Sequence, residues 1–309
     1  MPFGNSSETR IAYVAEASFG VTPATPTFAA LRTTGGGVRT NKRTVVSDEL
    51  RADRNVIDEV LVGLGAGGAY PFELSYGSLD PFLASALRGA WATNVLKNGV
   101  TPSYFTIEET IELGATDSFS RFTGSTVNTL SLSIPAQGKI TGSLGLMAQK
   151  ETLASAIISG ATYAAASTEP VVNSSSHFAA LSLTGISPAL KLRQLNLEIN
   201  NNLRERPVLG SLFSEEFGAG RLDVTGTFEA YLEGGGQYQA VLDHASGALA
   251  FTMGAATTKK YTVSLPKIIL LDGVRQVGGN ADDVILSVPF RAVYDSTAAC
   301  SIQITRAVA

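Results

Sequence analysis

The side chains able to do chemistry are few and scattered. His177 and His244 are the only histidines, and neither stands in a spacing with cysteines or carboxylates that would hold a metal ion. The single cysteine, Cys300, has no partner for an intrachain disulfide, and the strand-like stretch around it suits a small buried side chain better than a reactive thiol. Carboxylates do gather, as Asp48, Glu49, Asp53, Asp58 and Glu59, as Glu215 with Glu216, and as Asp282 with Asp283. Acid–base work would need an apolar pocket to raise one member of such a pair, and these lie in polar segments that read as solvated. The runs Gly35, Gly36, Gly37 and Gly234, Gly235, Gly236 lack the strand and lysine context of a phosphate loop and read as turns. No nucleophile elbow and no Ser, His and Asp set with plausible context occurs. The expectation is a protein with no catalytic residue, no metal and no cofactor.

The elements behind these residues follow from composition. The chain of 309 residues is 44% apolar and only 16% charged, long enough for two domains with real cores. Its 31 glycines, with many Thr, Ser and Val, favour short strands joined by turns, so the expected class is all-β with minor α. A net charge of -4 without long runs of one sign advertises no duplex-gripping surface and no anionic membrane partner. The polar start, residues 1–10, lacks the apolar core of a secretory signal, and no run approaches the ~20 apolar residues of a membrane span. A protein made in a cytoplasm, or built into a particle there, is expected.

Short matches recur in the same order in both halves. Leu50 and Arg51 match Leu203 and Arg204, and Gly65, Ala66, Gly67 match Gly218, Ala219, Gly220, at a separation of 153 (203 minus 50; 218 minus 65). Phe72 and Glu73 match Phe228 and Glu229, and Phe105, Thr106, Ile107 match Tyr261, Thr262, Val263, at 156; Leu132 to Pro135 match Leu286 to Pro289 at 154. Each match alone is within reach of chance, but their order is not, which predicts one unit written twice. The expected layout is an N-terminal arm at 1–32, units at 33–151 and 181–309, and a linker at 152–180 rich in small residues.

Leu195, Leu197 and Ile199 alternate with polar residues, and Leu222, Val224, Gly226 and Phe228 do the same, predicting a long hairpin around the polar segment 201–220. Residues 38–46 and 69–76 predict its counterpart around the charged segment 47–59. Asp80 as N-terminal cap, Pro81 behind it and Phe82, Leu83, Ala86 and Leu87 on one face predict a helix ending near Gly89. Tyr238, Val241, Leu242 and Ala245 predict a second, stopped at Gly247. Strands are expected at 104–111, 129–134, 142–148, 261–269, 284–292 and 300–305, giving two sandwich-like or barrel-like units, each with one flanking helix.

The opening resembles that of tail tube proteins from long-tailed (siphovirus-like) bacteriophages, through Arg10, Ile11, Ala12, Tyr13, Glu16, Phe19, Gly20, Thr22, Pro23, Leu31, Arg32 and Thr33. The resemblance continues in Ser47, Asp48, Glu49, Leu50, Arg51, Asp53 and Arg54, in the glycine-rich turn, in the helix, and in the second unit through 195–200 and 220–231. It implies a virion structural protein whose hairpins pair edge to edge with those of neighbours, closing a β-barrel around a channel. Rings of this family usually hold six single units, so a chain of two units implies a homotrimer. The implied partners are further copies of the chain, the tape measure protein, the tail terminator and distal tail proteins, and DNA passing without being held.

Asp48, Glu49, Arg51, Asp53, Arg54, Arg204, Glu205 and Arg206 at the two tips are the candidates for contacts between rings or subunits. Glu198, Asp223 and Glu229 on the wet face of the second hairpin are the candidates for an acidic channel wall; Arg39, Lys42 and Arg43 fit that wall less well. Competing readings are a tube subunit of a bacterial secretion or contractile injection system and a carbohydrate-binding β-sandwich. The single Trp offers the last of these no aromatic platform.

Overall fold

Period-two alternation becomes strand nearly everywhere it occurs, because alternate side chains of an extended backbone leave on opposite faces. The computed structural model describes residues 3–114 and 116–308. The first two residues of the polar start, Met1 and Pro2, together with Ala115 and the last residue of the expected second unit, Ala309, lie outside the described residues.

The chain opens with β1 (Arg10–Glu16), β2 (Thr27–Ala30), β3 (Gly37–Val46) and β4 (Glu59–Glu73), followed by α1 (Asp80–Ala86). Then come β5 (Val95–Lys97), β6 (Tyr104–Ile111), β7 (Ser118–Pro135), β8 (Thr141–Ala148), β9 (Lys150–Ala154) and β10 (Thr162–Tyr163). The second half holds β11 (Phe178–Leu183), β12 (Leu192–Asn200), β13 (Arg204–Glu205), β14 (Phe217–Gly218) and β15 (Asp223–Tyr231), then α2 (Gly235–Leu242). It ends with β16 (Ser246–Ala256), β17 (Lys259–Leu270), β18 (Val274–Gln276), β19 (Ile285–Ala292) and β20 (Gln303–Arg306). The class is all-β with minor α.

In the first half β1 pairs with β6, β6 with the start of β7, β7 with both β8 and β9, and β4 with β3 and β8. In the second half β11 pairs with β16, β16 with β17, β17 with both β19 and β20, and β15 with β12 and β19. Two sequence matches are corrected by these pairings. Phe105 to Ile107 lie in β6 but Tyr261 to Val263 lie in β17, whose neighbours correspond to those of β7. Leu132 to Pro135 lie in β7 but Leu286 to Pro289 lie in β19, which corresponds to β8. The cause is a long connection after α1, residues 87–103, where only residues 243–245 follow α2.

Each half buries aromatic side chains between its sheet layers. Phe82 of α1 meets Tyr13 and Phe105 at 4.7 and 4.8 Å, and Phe228 stacks on Phe290 at 6.1 Å. Each such pair contributes about 1 kcal/mol beyond the area it buries. Residues 155–177 are tied down along their length. β10 runs parallel to β2, the Tyr163 ring stacks on Phe28 at 5.2 Å, and the Tyr163 hydroxyl donates to the fully buried Glu108 at 2.6 Å.

Both helices differ from expectation in detail. Leu79, not Asp80, occupies the cap position of α1, and no side chain caps it. α2 stops at Leu242; His244 takes the left-handed turn there (φ 50°), and Gly247 lies within β16. The glycine runs differ from each other as well. Gly36 sits at φ 83° where a Cβ would lie 2.1 Å from the Ala69 carbonyl oxygen, so only glycine fits that turn. Gly235 and Gly236 belong to the first turn of α2.

Candidate assembly interface

The two halves meet through a continuous sheet. The hairpins do not pair with each other; β7 lies between them, with β8 on one edge and β12 on the other, so the layer runs β3–β4–β8–β7–β12–β15–β19. At this seam Leu132 stands opposite Leu197 and Ser131 opposite Glu198, so one face is apolar and buried and the other polar. Asn201, 2% exposed, locks the end of the seam. Its side-chain amide donates to the carbonyls of Ala86 (2.9 Å) and Val127 (3.1 Å), and its backbone N–H donates to Asn128. The Leu203 N–H donates to Asn128 Oδ1 at 2.9 Å.

Beyond Asn201 the second hairpin tip folds over the first half. Phe217, 3% exposed, meets Phe19 edge-on at 5.5 Å, and Phe19 meets Tyr104 at 4.9 Å. The Tyr104 hydroxyl donates to Glu216 at 2.8 Å, and Gln149 Nε2 donates to the Ser214 carbonyl at 2.9 Å. Burial, and then the hydrogen bond to Glu216, push the Tyr104 phenol up to about 12.

A second contact joins the halves on the far side. β5 pairs with β20, and Asn98 Oδ1 accepts from the N–H groups of Ser301 and Ile302. The Asp80 carboxylate, expected at a helix cap, instead accepts from the Tyr261 hydroxyl and from Arg306, whose guanidinium lies 4.4 Å from the Trp91 ring centre. Burial, with the Asp80 charge next, pushes the Tyr261 phenol well above its usual range.

The layer through the seam ends on β3 at one border and, past β19, on β18 at the other. Among the described residues β3 pairs only with β4, and β18 only with β19. Beyond its base, where Arg43 pairs with Glu205 and the Leu64 N–H donates to the Leu212 carbonyl of the second tip, the first hairpin projects as an arm, and the apolar residues Val45, Val46, Val60, Leu61 and Val62 on it are all exposed. Charge counting from sequence missed this apolar surface. On the other border Leu242, Leu271, Val274 and Val277 are exposed. Open strand edges bearing apolar side chains are templates for pairing with another chain.

The tip residues singled out from sequence divide accordingly. Arg51 pairs with Asp53 at 2.7 Å at the free tip, holding the Asp53 carboxyl well below the usual range, and Asp48, Glu49 and Arg54 are exposed beside them. In the second tip Glu205 pairs with Arg43 of the first hairpin, Arg206 pairs with Glu216 at 2.7 Å, and Arg204 stands opposite Gly218.

Glu198, Asp223 and Glu229 share the polar face of the sheet. With Ser131, Asn196 and Thr225, Glu198 lines a trough of about 420 Å³ across the seam. Alternation from the buried Val38 puts Arg39 and Arg43 on this face and Lys42 on the other. Asp223 is paired with Arg221 at 3.3 Å.

The reactive side chains stay apart. His177 Nδ1 accepts from the Asn173 N–H at 3.2 Å, His244 turns the end of α2, and burial pushes the Cys300 thiol up. Among the described residues no group of three or more His, Cys, Asp or Glu is placed to hold a metal ion, and no helix is long and apolar enough to cross a membrane.

A chain with open sheet borders, an exposed apolar arm and a polar sheet face has the features of a self-associating structural β-protein. It belongs to the phage tail tube protein family, whose family model matches residues 6–292. Comparison with curated proteins gives no match. Family membership makes the chain a structural component of a phage tail that assembles with its own copies into a tube.

Proposed function

We propose that the chain carries two copies of one tube unit and that three chains close into a pseudo-sixfold ring. Stacked rings would enclose a channel that holds the tape measure protein and conducts DNA into the host, with tail terminator and distal proteins at the ends. Assembly takes place in the host cytoplasm, and the role is structural rather than catalytic. The observation that carries this reading is the seam between β7 and β12: it joins one half to the next by ordinary strand pairing, while β3 and β18 each keep one edge unpaired among the described residues. Repeating the seam from chain to chain removes both edges, and closure alone removes every edge.

The polar face then becomes the channel wall. Glu198, Asp223 and Glu229 would disfavour phosphate there, whereas each added Lys or Arg contact would strengthen the hold on DNA. Arg39 and Arg291, the latter opposite Thr225, are exceptions on this face, and Arg43 is neutralised by Glu205. Asp48, Glu49, Arg51, Asp53 and Arg54 at the free tip, with Arg204 and Arg206 at the second, would make contacts between subunits, and Glu205 reaches Arg43 between the halves of one chain.

Negative-stain microscopy of the purified protein should show rings or tubes, and native mass measurement of dissociated rings should give three chains. Six chains per ring would overturn the trimer, and a persistent monomer would overturn the tube reading.

A further inference from the structure

We infer that the free part of the arm, residues 44–62, seats sideways on a neighbouring copy, over its Leu242, Leu271 and Val274, rather than on the ring above or below. This rests on the reading that the chain builds rings, and it names the surface that joins one chain to the next.

The seam inside the chain supplies the template. The Gln149 N–H donates to the Thr123 carbonyl at 2.9 Å, and the Val293 N–H donates to the Lys267 carbonyl at 3.0 Å. Both partners of the second bond lie 144 residues beyond those of the first (293 minus 149; 267 minus 123). Past Gly124 the shift becomes 143, since Val127 stands opposite Leu146 and Leu270 opposite Phe290, so Val127, Asn128 and Ser131 match Leu270, Leu271 and Val274. Arg88 and His244 each make the left-handed turn that ends a helix, at φ 45° and 50°, and that match carries Ala86 to Leu242. In the first half Ala86, Val127 and Asn128 are the groups that receive Asn201 and Leu203 of the second hairpin. Among the described residues no side chain is bonded to the matching carbonyls of the second half, and Leu242 and Leu271 are 61% and 36% exposed, with Val274 beside them at 58%.

The arm is the matching donor. Leu144 stands opposite Tyr70 and Val288 opposite Phe228, which aligns the hairpins so that residues 41–65 correspond to residues 200–223. The second of these segments is folded over a receiving half, and the outer part of the first projects with Val45, Val60, Leu61 and Val62 exposed. Apolar side chains on both sides and a strand edge on each make a second copy of this chain the fitting occupant.

The test uses the whole chain with single substitutions at exposed positions: Leu242→Asp and Val274→Asp on the seat, Leu61→Asp on the arm, and Val100→Asp as a control, each checked for an unchanged circular dichroism melt. Seat and arm variants should each stay monomeric while the control forms rings like the unmodified protein. Mixing Leu61→Asp with Val274→Asp should give a two-chain species that goes no further, since only one good arm meets one good seat. In rings of unmodified protein, amide exchange at residues 59–62 and 271–274 should slow together relative to the monomer. Normal rings from both seat variants would overturn the assignment, as would an arm variant that closes rings but cannot stack them. Absence of rings from the unmodified protein would instead sink the tube reading on which the assignment rests.

Discussion

Residues 41–65 and 200–223 lead out of corresponding strands, yet the outer part of one stretch is an extended hairpin in solvent and the other is folded over a neighbouring half. The second has Asn201, Phe217 and Glu216 in contact with partners, whereas the first keeps Leu50 and Leu61 in water. The difference teaches that the fold of such a tip depends on what it lands on. Within one chain only the second half has a receiving half in front of it.

That contrast can be broken from the docked side first. Phe217→Ala removes the aromatic contact with Phe19 and should destabilise the chain by about 3 kcal/mol in urea denaturation. Amide exchange should rise over residues 201–218 and stay unchanged at 47–58. Equal change at both tips would mean that they are not independent. Asp80→Ala leaves Arg306 and the Tyr261 hydroxyl without their acceptor, which in a partly exposed site costs about 2 kcal/mol. Trp91 fluorescence should report the loss, and an unaltered spectrum would remove Asp80 from the contact between halves.

Asn201→Ala strips two buried carbonyls of their donor, with an expected cost of about 1–2 kcal/mol. A pH series tests the smaller contribution of Tyr104. Its folded value is raised from 10.0 to about 12, so the neutral phenol supports the fold fully below pH 10 and loses that support as pH rises towards 12. Tyr104→Phe should flatten that alkaline loss. The smallest effect on folding is expected for Arg51→Glu at the solvated tip: an unchanged melting temperature but impaired assembly, with tubes of normal length counting against a contact role there.

Much of the frame was legible in the residues. β6 falls on the expected 104–111, and Leu195, Leu197 and Ile199 turn inwards as their alternation requires. Partner choice was not legible, because a period of two says which face a strand buries but not which strand lies beside it. β7 therefore gave no sign that its final residues would join the second half. Asp80 reads as a cap because an acid before Pro81 fits that role, and only a tertiary partner 226 residues away, Arg306, overrides it. The exposed Val60 to Val62 were passed over for a related reason: apolar side chains in water make sense only against a surface that one chain does not contain.

The connection bearing β5 has a mechanical consequence. It braces the joint inside each chain through β20, but the three residues after α2 offer no counterpart for the joint to the next chain. In the three-chain ring proposed above, reinforced staves would then alternate with unreinforced ones, and a bending load would gather along the latter. Such a wall would flex or split along three lines rather than six.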